Sequence, residues 1–525
     1  MFLIATIYFL IYAICVFSNI DSKEFMTIDE NSIISSLEQL TSSAFYNMND
    51  TYHSKFYGWT YFSFNFVIIN FLKLVGLDTE LAINLAIRLF NFIIGLSVVL
   101  LFFKTCNLLI DRFKSALLTL FFMVSPVTAH FFVEIHPEML GVLFQLSALY
   151  ILCGIYLKGK KIDFNFYISV VFLSLSCLSK QAFVIANTFL AIVFFILYYT
   201  NNRSFDFSDF FKIIAKSLFI FFLVFFIIHP YAFFEFDKFI EAQRSISSEH
   251  SQKNFSLVID DWLHVVFNNP LVLCNFLLIF TLIAWNRYHV AYKLSVISVF
   301  TVSLIYIYNS RLWVVDTYFF PVYLFYFFNL FYFINTVLNK FILIRVVMLL
   351  TLFSIFISDA SVSLYKQQKR FFLQNARTEK VSWDILKSLP DEVKVAYSPN
   401  IAMPKILRKK GCHAWQGCNT EVELSKYSPD LVVYSPTYPH FNSDAFEKYL
   451  NNNDFVLINK VEPKIKGLEF KCSSINYTNT YLYVFSYKYI YNNVIGCLSD
   501  YIKMIKNYKS TDLLVGHEIL FYEKG

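Results

Sequence analysis

Long apolar runs separated by short polar segments dominate the first two thirds of the chain. Runs near the length that a helix needs to cross a bilayer fall at residues 2–18, 80–103, 115–133, 138–157, 166–179, 182–199, 210–228, 270–285, 289–308, 318–338 and 341–358. This pattern predicts an α-helical polytopic membrane protein with about eleven transmembrane helices. No run of spanning length follows, which predicts a membrane domain over residues 1–360 and a water-exposed domain over residues 361–525.

A further apolar run, residues 59–75, carries Thr60, Ser63, Asn70 and Lys73 at helical spacing. Such a polar stripe is typical of an amphipathic helix lying in the membrane interface. With this helix lying flat, residues 19–79 form a first outer loop with juxtamembrane helices. The short loops on the opposite side then carry thirteen basic residues: Lys104, Arg112, Lys114, Lys158, Lys160, Lys161, Arg203, Lys212, Lys216, Arg287, Lys293, Lys340 and Arg345.

The same loops contain only four acidic residues, Asp111, Asp163, Asp206 and Asp209. Because Lys and Arg accumulate in cytoplasmic loops, the bias predicts a cytoplasmic N-terminus. The first loop and the C-terminal domain are then extracytoplasmic. The chain is expected in a bacterial inner membrane or an equivalent one.

Composition agrees with this interpretation. Hydrophobic residues make up 57% of the 525 positions and charged residues 16%, which excludes an ordinary soluble protein. The net charge of +6 is dispersed between apolar runs and forms no patch, so nucleic-acid binding is not expected. The run from Phe2 to Phe17 lacks a basic leading segment and a small-residue cleavage site, and is interpreted as a retained span.

The C-terminal domain alternates strand-like and helical segments, which predicts a small α/β fold with parallel pairing in its first half. The strands are expected at 393–397, 431–434, 455–461, 481–489 and 513–522, and the helices at 401–410 and 443–451. Four cysteines, Cys412, Cys418, Cys472 and Cys497, allow one or two disulfides in an oxidising compartment, with the pairing left open. His413 lies beside two of them, but no second ligand pair supports zinc.

Acidic and basic residues that could carry chemistry fall on the predicted outer side. Asp29 and Glu30 lie at the start of a helix beside the membrane, where capping is the alternative role. Glu134, His136 and Glu138 follow the 115–133 run. Pro137 is expected in the first turn of the next helix, with His136 as its cap, so that Glu138 projects from a helix start.

Several basic residues are also predicted on the outer side of the membrane. Lys180 interrupts two apolar runs, and Arg244 and Arg311 lie in outer loops. Snorkelling explains each of them singly, whereas cations converging on one site would suit a phosphate. Arg88 lies inside an apolar run and is expected to pair with an acidic residue of the first loop.

The order of these motifs resembles the GT-C superfamily of glycosyltransferases, especially the branch that holds protein O-mannosyltransferases and the lipid A aminoarabinose transferase. Asp29-Glu30 resembles the acidic pair after the first span of these enzymes, and Ala86-Ile87-Arg88-Leu89 resembles their Ala-x-Arg-Leu helix. The segment from His53 to Tyr61 resembles their basic, aromatic juxtamembrane segment. His136-Pro137-Glu138 is similar to the Arg-Pro-Asp of many members.

The remaining motifs follow in the same order, and the resemblance covers most of residues 1–360. Lys180 resembles a lysine in an outer turn, the stretch from Pro230 to Asn268 resembles a long outer loop, and the stretch from Arg311 to Pro321 resembles an arginine before a Tyr-x-x-Pro helix start.

The resemblance implies transfer of a sugar from a polyprenyl- or dolichyl-phosphate carrier to a lipid, glycan or protein hydroxyl at the outer face, with inversion. Asp29, with Glu30 beside it, is the implied catalytic base, because a phosphate leaving group needs no general acid. The donor phosphate would be held by Lys180, Arg244, Arg311 and Lys55. Residues that would orient substrate hydroxyls are His53, Glu134, His136 and Glu138.

No cofactor or metal follows from the residues alone. A divalent cation on Asp29, Glu30, Glu134 and Glu138 is an open alternative, because some superfamily members use one and others do not. A polytopic transporter or lipid flippase with a periplasmic domain is the alternative function, and a non-catalytic scaffold is a third. A transporter is expected to place ionisable groups at the membrane midplane and often has internal repeats. Here the ionisable groups other than Arg88 cluster outside the midplane, and no internal repeat is visible, which favours the enzyme.

Overall fold

The structure of the chain is a computed structural model. It describes residues 2–17, 28–42, 46–50, 54, 58–159, 162–202, 206–250, 262–263, 266–267, 269–287, 290–309, 319–334, 342–343, 346, 349–350, 353–358, 360–363, 378–414, 417–438, 441–465, 491–507, 513–514 and 516–525.

Helices form most of the described chain before residue 364. Their bounds are α1 (Phe2–Val16), α2 (Ile28–Ser42), α3 (Trp59–Leu74), α4 (Glu80–Leu109), α5 (Arg112–Val124), α6 (Pro126–Val133), α7 (Glu138–Leu157), α8 (Phe164–Ser179), α9 (Ala182–Asn202), α10 (Phe207–Ile228), α11 (Tyr231–Phe234), α12 (Phe236–His250), α13 (Pro270–Leu277), α14 (Val290–Asn309) and α15 (Phe320–Tyr332). Short 3-10 helices cover Met48–Asp50 and Leu278–Arg287.

Four of these helices, α4, α7, α9 and α10, are long and apolar enough to cross a membrane, and the α5–α6 pair would make a fifth. Five shorter apolar helices accompany them among the described residues. The prediction of a mainly helical protein with several helices apolar enough to cross a membrane is confirmed. The count of about eleven spans stays a prediction.

The predicted span 115–133 is broken. The helices α5 and α6 meet at an angle of 67°. Ser125 ends α5 in an extended conformation, and Pro126 begins α6, because proline cannot donate to the preceding turn but suits the first position of a helix. After the break, α6 contacts α1 and α4. It ends at Val133, and the next residue, Glu134, has an extended backbone conformation.

Close helix packing surrounds α7, which lies against α4, α8 and α9. Two glycines permit close approaches in this region. A Cβ atom on Gly95 of α4 would lie 2.8 Å from the Phe132 ring, and one on Gly141 of α7 would lie 2.6 Å from the Phe183 ring. The buried core here is largely aromatic and aliphatic, as expected for interlocking apolar helices.

The C-terminal part contains a five-stranded sheet of order β2-β1-β3-β7-β4 and a separate pair, β5 with β6. The strands are β1 (Val395–Tyr397), β2 (Cys412–His413), β3 (Leu431–Tyr434), β4 (Phe455–Val461), β5 (Lys464–Ile465), β6 (Leu513–Leu514) and β7 (Ile519–Lys524). The helices are α16 (Thr378–Lys387), α17 (Lys405–Lys410), α18 (Glu421–Tyr427), α19 (Asp444–Asn452) and α20 (Cys497–Asn507).

The strand β1 pairs in parallel with β2 and β3, whereas β7 pairs antiparallel with β3 and β4. Parallel pairing in the first half is therefore confirmed, and so is the small sheet. The predicted helix 401–410 begins only at Lys405, because Pro404 precedes it in an extended conformation. The predicted strand 513–522 is divided between β6 and β7, and the predicted strand 481–489 lies outside the described residues.

Cys412 and Cys418 form a disulfide, and Cys497 is also disulfide-bonded. The first bond joins cysteines six positions apart and closes a short loop that leads from β2 towards α18. Cys106, Cys153, Cys177 and Cys274 are free, as expected for packing residues in or beside apolar helices.

Candidate functional site

The start of α2 is tied to α4 by a buried ion pair. The Glu30 carboxylate lies 3.3 Å from the Arg88 guanidinium, and the two side chains are 0% and 2% exposed. The apolar stripe Ile33, Ile34 and Leu37 buries the same face of α2 and brings its first turn inward. The expected partner of Arg88 is therefore Glu30.

The segment that joins α6 to the first residue of α7, residues 134–138, packs against this ion pair. The Ile135 backbone N–H donates to Glu30 Oε1 at 3.1 Å, and the Asn91 amide donates to the Glu134 carbonyl at 2.6 Å. His130 Nε2 lies 3.3 Å from the Glu134 carboxylate. The Glu30 carboxylate thus contacts the Arg88 side chain of α4 and the Ile135 backbone N–H of the 134–138 segment.

A second polar cluster lies at the other end of that segment. Glu138 is the first residue of α7, and its two carboxylate oxygens contact Lys180 and His136. Glu138 is 3% exposed, whereas Lys180, which ends α8, is 22% exposed. The ammonium and carboxylate charges cancel in part, and the imidazole lies beside them.

The prediction that His136 caps α7 is wrong. Pro137 is the N-cap residue and makes no side-chain cap bond. The imidazole turns instead to the Glu138 carboxylate and packs at 5.5 Å against the Phe131 ring.

Arg244 lies in α12, which contacts the chain next to Lys180 through a pair of glutamines. The Gln181 side chain, next to Lys180, hydrogen-bonds the Gln243 side chain, next to Arg244. Arg244 is exposed. Gln181 and Gln243 are 62 positions apart in the sequence. Their bond shows that Lys180 and Arg244, two of the predicted phosphate-binding cations, lie on neighbouring chain segments.

The first loop also contacts the α11–α12 junction. The Asn47 amide donates to Glu235 Oε2 at 3.0 Å, and the Asn49 amide donates to the Tyr231 carbonyl at 3.2 Å. The hydrogen bond from Asn47, helped by Lys238, holds the pKa of the Glu235 carboxyl below its usual range. These bonds fix the first loop against the helices that carry Arg244.

Four predicted site residues lie outside the described residues: His53, Lys55, Arg311 and the side chain of Asp29. The backbone of Asp29 lies in α2, one residue before Glu30. Among the described residues, no group of three or more His, Cys, Asp or Glu side chains is arranged to hold a metal ion. Glu30 and Glu138, two of the four residues considered for a cation, contact positively charged partners instead.

Sequence reasoning did not identify Asn91, Gln181 and Gln243. All three are neutral amides whose contacts depend on tertiary packing. A polar residue one helical turn after Arg88 was the available signal for Asn91.

No protein-family profile matches the chain, and no curated protein matches it. Among solved structures, the chain is similar to the crystal structure of the Archaeoglobus fulgidus oligosaccharyltransferase in complex with zinc and sulfate. The identity is 10% and the TM-score 0.48, over 99% of this chain and 88% of that chain.

Proposed function

We propose that the chain is a membrane glycosyltransferase that moves a sugar from a polyprenyl- or dolichyl-phosphate carrier to an acceptor hydroxyl at the outer face. The observation that carries the proposal is the 134–138 segment, with the buried Glu30–Arg88 pair at one end and the Glu138–Lys180–His136 cluster at the other. The order of motifs that resembles GT-C enzymes supports the same reaction.

In this reaction Asp29 accepts the proton of the acceptor hydroxyl. The acceptor oxygen bonds the anomeric carbon while the bond from that carbon to the phosphate oxygen breaks, which inverts the anomeric centre. The phosphate leaves as an anion and takes no proton. Glu30 serves to hold the first turn of α2, and with it Asp29, against the 134–138 segment.

Negative charge that develops on the leaving phosphate needs fixed cations close by. Lys180 is partly exposed, and Gln181 and Gln243 place Arg244 on the neighbouring segment. When a phosphate binds Lys180, it competes with Glu138 for the ammonium, and His136 remains in contact with the Glu138 carboxylate. Lys55 and Arg311 are the further proposed phosphate ligands.

The two disulfide-bonded sites of the C-terminal part support its extracytoplasmic location, because such bonds persist in oxidising compartments. The same location is the one that the loop charges predict for the first loop.

The test uses the full-length protein in nanodiscs with a panel of polyprenyl-phosphate hexoses and pentoses, and measures release of polyprenyl phosphate. Lys180→Gln should lower turnover by about 100-fold or more, since it removes a cation that stabilises the leaving group. Lys212→Gln is the matched control, because Lys212 is exposed and pairs with the exposed Asp209. A transporter or flippase would release no polyprenyl phosphate, and wild-type turnover in Lys180→Gln would contradict the assignment.

A further inference from the structure

Two neighbouring strands of the C-terminal sheet end at a tyrosine that is followed by Ser-Pro. Tyr397 ends β1 and precedes Ser398-Pro399, and Tyr434 ends β3 and precedes Ser435-Pro436. The two strands are parallel, so both tripeptides lie at one edge of the sheet. The Ser435 backbone N–H donates to Ser398 Oγ at 3.2 Å, which joins the two loops directly.

This edge is a topological switch point. After β1 the chain passes to α17, whose Leu407 packs on one face of the sheet with Val395. After β3 it passes to α19, whose Phe446 packs on the opposite face with Val432. Loops that leave adjacent parallel strands towards opposite faces open a crevice at the carboxyl ends, which is where open α/β sheets bind ligands.

Polar atoms at this edge lack partners among the described residues. Ser435 is 0% exposed, and its hydroxyl has no hydrogen-bond partner there. The Asn400 Nδ2 amide is likewise buried without a partner, although Asn400 Oδ1 accepts from Ser398 Oγ at 2.8 Å. Buried polar groups are nearly always paired, so a hydroxyl and an amide donor left together indicate a ligand that pairs them.

The chemistry of the edge favours a neutral ligand. Residues 398–404 contain no glycine, and α17 is only six residues long, so no phosphate cradle is present in this loop. The Glu518 backbone N–H donates to Thr437 Oγ1 at 3.1 Å, and the Glu518 carboxylate shares Lys460 with Glu462, so no uncompensated positive charge for an anion comes from this pair. The Tyr438 ring stands next to His517 at 5.4 Å and adds an aromatic surface.

We propose that this edge, formed by Asn400, Ser435, Thr437 and Tyr438, binds a sugar residue of a glycan. An amide donor and a hydroxyl match the donors and acceptors of sugar hydroxyls, and an aromatic ring matches the apolar face of a sugar ring. Thr437, two residues after Ser435, is exposed at this edge. The inference concerns the C-terminal domain alone and does not rest on the proposed transfer reaction.

The test measures binding of fluorescently labelled oligosaccharides that contain mannose, glucose, galactose or N-acetylhexosamine to the full-length protein in nanodiscs. Ser435→Ala and Asn400→Ala should each weaken binding between about threefold and tenfold, the loss expected for one hydrogen bond. Ser443→Ala is the matched control, because that serine is partly exposed and its hydroxyl bonds the exposed Glu447.

A melting-temperature measurement separates binding from folding. Since the Ser435 hydroxyl has no partner in the described protein, Ser435→Ala should leave the melting temperature unchanged or raise it. The proposal is overturned if no oligosaccharide of the panel binds, if both alanine variants bind like the wild type, or if Ser435→Ala lowers the melting temperature. Glycan binding without sugar transfer would leave it standing while refuting the proposed function.

Discussion

Breaking the Glu30–Arg88 ion pair from one side should destabilise the protein strongly. The 3.3 Å separation corresponds to about 5 kcal/mol of attraction at an effective dielectric constant of about 20. Both groups are buried, so removing one charge leaves the other buried without this counter-charge, which costs about 3–5 kcal/mol. Glu30→Gln retains an oxygen that accepts from the Ile135 N–H, so its loss of stability reports mainly on Arg88.

A double-mutant cycle in mixed micelles measures this coupling. Arg88→Met alone should cost about as much as Glu30→Gln, whereas the double variant should recover about 2 kcal/mol or more, because neither buried charge remains. Asp209→Asn, which breaks the exposed pair of Asp209 with Lys212, should cost less than about 1 kcal/mol. Additive single effects, or single effects no larger than the control, would refute the proposed role of Glu30.

Three further predictions concern the C-terminal domain and α7. Burial lowers the pKa of His413 from 6.5 to about 4, so the stability that its neutral form contributes is complete above pH 6.5 and is lost as the pH falls towards 4. The wild type should lose up to about 3 kcal/mol more than His413→Gln in a pH-dependent unfolding series. Cys418→Ser, which opens the short loop from Cys412, should lower unfolding stability by about 2 kcal/mol under non-reducing conditions, and by nothing further after reduction. Gly141→Ala should lower the melting temperature, with overpacking against a phenylalanine ring costing about 1–3 kcal/mol, whereas Gly154→Ala in the same helix meets no atom within 4 Å and should be neutral or stabilising.

The part of the fold that could be predicted depends on local periodicity. The apolar runs identify α4, α7, α9 and α10, and the alternating segments identify the small sheet. The bend at Ser125 has a local cause, since Pro126 begins a new helix there. It was not predicted, because the apolar run continues through the bend and hydropathy contains no information on helix direction.

The site was predictable where a lone charge in an apolar context demanded a partner. Arg88 inside α4 required an acidic residue, and Glu30 supplies it. The contacts that assemble the remainder join distant segments through neutral amides, such as Gln181 with Gln243, and no spacing in the sequence encodes such pairs. His136 bonds the Glu138 carboxylate, because an available acceptor two residues away competes with the cap position.

Sugar transfer by Asp29→Asn tests the central claim most directly. Asn keeps the size and the helix-start preference of Asp but cannot accept the hydroxyl proton. With a carrier-linked sugar that the wild type turns over, we expect carrier-dependent transfer to be lost while the melting temperature and membrane insertion match those of the wild type. Full transfer activity in Asp29→Asn would contradict the proposed mechanism.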